Sequence, residues 1–320
     1  MSEVARDLPT FVLSSAPGSF MLSGEHAVLR GYAALVAAVQ QRVTVHLQAR
    51  NDQVVTLRSR LGDCKMHVGS IFAERPFHFA GAAIKAAGGE ELTTGFDLSM
   101  EADMSPDVGL GSSAAVTVAV YAAVYTYVYG RVPDKKLLWR SCRDIIRSEQ
   151  GRGSGADAAA SVYGGVVLYE QNGGMLKQFT HNLPEMSLFY VGYKTPTAGV
   201  IEIVEKKRLQ SLAMFHGLDK RMDQATKLAA TAIRNGDLGA LGVALQAGQE
   251  IMRGYGVCDE NLETLIACLT ALEGVVAAKI SGSGLGDCVL ALGAVPESAG
   301  IPFRQIPVAI DPKGVLVELK

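Results

Sequence analysis

The chain has 320 residues, five cysteines and a formal net charge of −2. That length suits two modest domains or one large one, and the charge balance offers no basic surface for nucleic acid or an anionic membrane. The cysteines are scattered, with no CxxC and no His–Cys spacing suited to zinc, so they read as free thiols in a reducing cytoplasm.

The opening segment, Met1–Pro9, is polar and charged, unlike a signal peptide. Alternation and β-branching predict strands over Phe11–Ser14, Arg42–Gln48 and Val54–Arg58. A helix over Glu74–Ala87 should stop at Gly88-Gly89, and a strand over Gly95–Met100 should lead into a glycine-rich turn. Helices are expected at Ser112–Val128 and, after Pro133-Asp134, at Lys135–Glu149. The apolar run Ala114–Tyr129 is short for a bilayer and reads as a core helix. Strands follow at Gly164–Tyr169 and Ser187–Tyr193, with the linker-like stretch Tyr169–Pro184 between them. Helices are then expected near Thr197–Glu205, Ser211–Arg234, Leu238–Arg253 and Asp259–Leu272. Short strands at Ala277–Ser281 and Asp287–Leu292 bracket a last glycine loop, and Gly314–Leu319 closes the chain. Strands and helices mixed without regular βαβ alternation predict an α+β fold.

Chemistry concentrates in four glycine-bearing segments. In Pro106-Asp-Val-Gly-Leu-Gly-Ser-Ser-Ala-Ala115, two glycines precede two hydroxyls and an apolar helix. Glycines let backbone N–H groups approach an anion, and a helix start adds oriented donors and a positive dipole end. The segment reads either as a phosphate site or as an ordinary turn capped by Ser112. In Gln150-Gly-Arg-Gly-Ser-Gly-Ala-Asp157, Asp157 is either a helix cap or a carboxylate aimed at what the loop faces. The others are Ala16-Pro-Gly-Ser-Phe-Met-Leu-Ser-Gly-Glu-His-Ala-Val28 and Lys279-Ile-Ser-Gly-Ser-Gly-Leu-Gly-Asp-Cys288. There is no Walker A Gly-Lys-Ser/Thr, and the last loop is not followed by a helix, against a Rossmann reading.

Together, and in this order, the four segments resemble the GHMP kinase superfamily over residues 10 to 295, with Glu25-His26 most like mevalonate kinase and Gly286-Asp-Cys288 leaning to phosphomevalonate kinase. The resemblance implies an α+β, two-lobed fold with an N-terminal ribosomal-S5-like lobe (1–175) and a C-terminal ferredoxin-like lobe (176–320). It implies an ATP- and Mg²⁺-dependent kinase acting on a small-molecule substrate, mevalonate ahead of phosphomevalonate, with neither nucleic acid nor membrane as partner. A homodimer, and a member that binds nucleotide without turnover, stay open. By resemblance, Pro106, Gly109, Leu110, Gly111, Ser112, Ser113 and Ala114 bind ATP, and Ser113 with Glu149 holds the metal. Asp157 is the catalytic base, and Glu25, His26, Thr197, Gly282 and Ser283 meet the acceptor. Glu149 reads equally as a solvated glutamate at a helix end.

One departure stands out. The family usually carries Lys or Arg after Ala-Pro-Gly, where this chain has Ser19. A cation facing developing charge is worth several kcal/mol. Lys194, Arg152 and Lys279 are the residues that could replace it, with Lys194 the expected catalytic cation. Asp287 also stands where mevalonate kinases tend to have glycine.

Overall fold

The computed structural model describes residues 9–104, 108–151, 153–170 and 177–319. The first lobe is built on two long antiparallel strands, β1 (Phe11–Ser23) and β2 (Ala33–Ala49). They are joined by the turn 24–32, which contains one 3₁₀ turn, Ala27–Arg30. Then come β3 (Val54–Ser59), β4 (Gly62–His67), helix α1 (His78–Gly88), β5 (Phe96–Ala102) and the helices α2 (Ser112–Tyr129), α3 (Lys135–Gln150) and α4 (Ala156–Tyr163). Next are β6 (Val166–Glu170), β7 (Lys177–Phe179) and β8 (Met186–Lys194), followed by α5 (Thr197–Gln210), α6 (Leu212–Asn235), α7 (Leu238–Tyr255) and α8 (Glu260–Thr270). The chain ends with β9 (Ala277–Ser281), β10 (Gly286–Leu292), β11 (Arg304–Ile306) and β12 (Leu316–Leu319).

Two sheets result. The first runs β12-β1-β2-β5-β3-β4, with β6 and β7 joining through the first half of β2; the second runs β11-β8-β10-β9. The β3–β5 pairing is parallel and the rest are antiparallel. This is the expected mixed, two-lobed architecture. The boundary at 175/176 falls in 171–176, outside the described residues, and the first sheet takes β7 and β12 from beyond it.

Both long strands exceed their expected lengths. β1 continues from Ser14 through Pro17-Gly18 to Ser23, because a register shift between Pro17 and Ser19 lets a proline sit in a paired strand. β2 begins at Ala33 instead of Arg42, since Ala33–Val39 is buried throughout and so shows no alternation. Helix α1 begins at His78, after Pro76, and the exposed strand β4, with only Met66 buried, was not anticipated. Helix α2 is apolar all round and long enough to cross a membrane; here it lies in the core among α1, α3, β1 and β2.

The lobes are stitched by α6 and α7. The C-terminal part of α6 and the first half of α7 join the first lobe's core through Ala229, Ile233, Leu241 and Leu245. Their other halves pack with the second sheet through Met222, Ile251 and Tyr255. A buried cluster locks α5, α6 and α7 together. Arg208 donates to both oxygens of Asp219, at 2.6 and 3.0 Å, and the Tyr255 hydroxyl donates to the same carboxylate at 2.7 Å. Removing one partner of such a pair strands the other charge away from water. Asp219→Ala is therefore expected to lower the unfolding free energy by about 3–5 kcal/mol in urea titrations; a loss below about 1 kcal/mol would place the pair with ordinary surface ion pairs.

Candidate active site

The four glycine-bearing segments meet at one cleft of about 570 Å³ between the lobes, a size suited to a nucleotide and a small acceptor. From the first lobe come Glu25 and His26 after β1, the loop before α2, the end of α3 and the start of α4. The second lobe contributes Lys194 and Thr197 at the β8–α5 corner, and Gly282, Ser283 and Asp287 from the last loop.

Three helix starts are closed by a capping side chain, and those of α1, α2, α4, α5 and α6 are not. Helices α3, α7 and α8 are capped by Asp134, Asp237 and Asp259. Helices α2 and α4, which begin at the cleft, have Gly111 and Gly155 in left-handed conformation at the cap and no side-chain cap. Such uncapped starts favour an anionic group. Asp157 lies in the first turn of α4, where its charge meets the positive end of the dipole.

The loop before α2 is seated on β1. The Ser19 amide donates to Leu110 O at 2.9 Å. A Cβ on Gly111 would stand 2.2 Å from Ser19 Oγ, so glycine is required by the strand beneath as well as by its φ of +61°. Ser19 is fully buried and donates its hydroxyl to Asp157 Oδ1 at 2.8 Å. Burial raises the Asp157 carboxyl above its ordinary range; the Ser19 hydrogen bond and the Lys194 charge oppose that, and Asp287 adds to it. The result is a carboxylate tuned upward, as a general base benefits from being.

The Glu25–His26 end of the cleft is equally specific. Lys279 Nζ, completely buried, donates to Glu25 Oε1 at 2.5 Å and to the Ile280 carbonyl, while Glu25 Oε2 is buried without a hydrogen-bond partner. His26 holds a left-handed φ of +59° and packs on the Tyr255 ring at 5.3 Å. Its Nε2 lies 2.9 Å from Ser283 O. Burial lowers its pKa, so the ring is neutral near pH 7. A carbonyl only accepts, so Nε2 carries the proton and Nδ1 the lone pair.

The expected residues sort as follows. Gly109, Gly111, Ser112, Ser113, Ala114, Glu149, Asp157, Lys194, Glu25, His26, Thr197, Gly282 and Ser283 all line the cleft. Leu110 does not: it is buried, its carbonyl accepts from Ser19 and its amide donates to Val108 O. Pro106 and Arg152 lie outside the described residues. Lys279, sealed against Glu25, is not a cation free to meet a transferred phosphate. Sequence reasoning missed Arg75, His78 and Phe79, which enter the cleft from the start of α1; a Pro-interrupted stretch gave no signal. It noted Asp287 only as unusual, whereas Asp287 accepts from the Gly109 amide at 3.0 Å and pairs with Lys194 at 3.0 Å.

Comparison with known proteins agrees with this geometry. The GHMP kinases N terminal domain matches residues 77–165, and the GHMP kinases C terminal domain matches residues 229–300. The chain belongs to the GHMP kinase family. Among GHMP kinase relatives, a mevalonate kinase of Archaeoglobus fulgidus is 28% identical over 281 residues, covering 88% of this chain and 92% of that protein. A mevalonate kinase of Aeropyrum pernix is 29% identical, covering 87% of each. A solved structure from Listeria innocua superposes with a TM-score of 0.85 at 20% identity, over 96% of this chain and 99% of that one.

The Ser19–Asp157 hydrogen bond has a testable consequence. The hydroxyl stabilises the charged carboxylate, so Ser19→Ala should raise the Asp157 pKa further. A base acts deprotonated, so the acid limb of the kcat/KM profile should move to higher pH. An unmoved limb in a folded, active variant would separate Asp157 from the proton-transfer step.

Proposed function

We propose that this chain is an ATP- and Mg²⁺-dependent kinase that phosphorylates a hydroxyl of mevalonate, a step of isoprenoid-precursor synthesis, in a reducing cytoplasmic compartment to which its free cysteines are suited. The observation that carries the acceptor is the Glu25–His26 turn. It presents a buried carboxylate oxygen without a partner and a neutral imidazole whose Nδ1 accepts. Both are acceptors, so they select donors, and mevalonate brings two hydroxyls. Mevalonate already carries a carboxylate; phosphorylating one of its hydroxyls removes a donor and adds further negative charge near Glu25, which favours the unphosphorylated acceptor.

ATP phosphates lie over Gly109–Ala114 at the uncapped start of α2. The metal fit rests on donor chemistry. Among the described residues no three His, Cys, Asp or Glu side chains converge on a metal position. The cleft instead offers hard oxygens from Ser113 and Glu149, which suits an ion that keeps waters and leans on substrate phosphates. When bound, Mg²⁺ would neutralise charge on the β- and γ-phosphates. Asp157 accepts the hydroxyl proton of the acceptor, oriented by Ser19, while Lys194 faces the charge on the transferred group.

Coupled ADP release with mevalonate, phosphomevalonate, galactose and homoserine tests the acceptor; mevalonate should give the highest kcat/KM. Absence of turnover with all four, in protein that binds ATP, would convert the chain into a nucleotide-binding member without activity. Asp157→Asn should lower kcat by roughly 10²–10⁴ with ATP affinity little changed. Near wild-type turnover would remove Asp157 from the mechanism. Glu25→Gln should raise KM for mevalonate and leave the ATP Kd in place, as measured by initial rates and calorimetry; a changed ATP Kd instead would move Glu25 to the nucleotide end.

A further inference from the structure

Asp287 stands where glycine would cost nothing. Its φ is +71°, a conformation that costs most L-residues about 1–2 kcal/mol, costs Asp less because its short side chain hydrogen-bonds locally, and costs glycine nothing. It lies in a register shift on β10, between Gly286, opposite Lys194, and Cys288, opposite Tyr190. Such strain at a cleft points to a job for the side chain. The carboxylate is buried and both oxygens are engaged: Oδ1 reaches across the cleft to accept from the Gly109 amide at 3.0 Å, and Oδ2 pairs with Lys194 Nζ of the neighbouring strand at 3.0 Å. The approach is so close that a Cβ on Gly109 would stand 2.3 Å from Oδ1. The glycine that should let a phosphate near the backbone therefore admits this protein's own anion.

Two anions cannot share one amide hydrogen at that distance, and like charges in a partly dry cleft repel. A nucleotide phosphate placed on Gly109 must displace the carboxylate. The ammonium next to it, still tethered at the β8–α5 corner where Thr195 Oγ1 donates to Leu285 O at 2.6 Å, is then at hand for the incoming charge. Position 19, which lacks a cation, is a neutral donor to Asp157. We propose that Asp287 is an exchangeable internal anion of the phosphate loop and the positioning residue for Lys194: nucleotide phosphate replaces its carboxylate on Gly109, and Lys194, held in place until then, supplies the cation absent at position 19.

The inference rests on the phosphate-loop reading above and has its own signature. Removing a structural residue weakens binding, whereas removing a resident competitor strengthens it. ATP and ADP affinities, with Mg²⁺ present, are measured by calorimetry for the wild type, Asp287→Asn and Asp287→Gly, beside melting curves and initial rates. Both variants should bind nucleotide more tightly, on the order of tenfold, with a lower kcat because Lys194 is no longer placed beside Gly109 when the nucleotide arrives. Asp287→Gly, relieved of its strained φ, should melt no lower than the wild type. In a Lys194→Met background, Asp287→Asn should not lower kcat further. If the wild type binds nucleotide and both folded variants bind it equally or less well, the inference fails and the phosphate loop stands. If the wild type binds no nucleotide, both fall.

Discussion

The contact on which this molecule depends is backbone against backbone, where β1 passes under the loop that opens α2. Ser19 N–H reaches Leu110 O at 2.9 Å. A Cβ on Gly18 would meet that same carbonyl at 2.5 Å, and a Cβ on Gly111 would meet Ser19 Oγ at 2.2 Å. Side chains at either glycine would wedge strand and loop apart. From the other side, Ser161 of α4 donates to Pro17 O at 2.7 Å. Three residues of one strand thus set the relative positions of two helix starts, and with them the distance between the amides of the loop before α2 and Asp157.

The second lobe is fastened to this frame through the reactive groups themselves. Lys279 of β9 holds Glu25, Ser283 O holds His26, and Asp287 of β10 holds Gly109. Each tie joins residues more than a hundred positions apart, so the cleft exists only when both sheets are formed and docked by α6 and α7. Local opening of the second lobe would release the Glu25–His26 turn and the loop before α2 together.

Regular, half-buried elements were legible in the sequence. Val43, Val45 and Leu47 alternate and lie in β2, and the amphipathic Lys135–Glu149 stretch appears as α3 (Lys135–Gln150) with its Asp134 cap. Ala33–Val39 was not legible, because a strand buried on both faces loses its period and an alanine-rich run has no β signature. The strand was expected to end at Ser14, because the register shift that accommodates Pro17-Gly18 farther along is a tertiary feature. At the site, the glycine motifs marked which loops converge. The partners of each charge did not show, since Arg208–Asp219, Lys279–Glu25 and Lys194–Asp287 are set by docking and by no spacing along the chain.

The fate of Lys279 and Lys194, the two described candidates for the missing cation, illustrates why composition of a motif does not fix its electrostatics. Lys279 is 0% exposed, and a buried ion pair of this kind is poor glue, since desolvation offsets most of its attraction. Its consequence is orientational: Oε1 of Glu25 is committed to Lys279, and Oε2 is left without a hydrogen-bond partner. Lys194, with its side chain 32% exposed, keeps one face to the cleft and can exchange partners without unburying a charge. Mobility of the pairing, rather than position in the motif, therefore decides which lysine can follow the charge that grows on a transferred phosphoryl group.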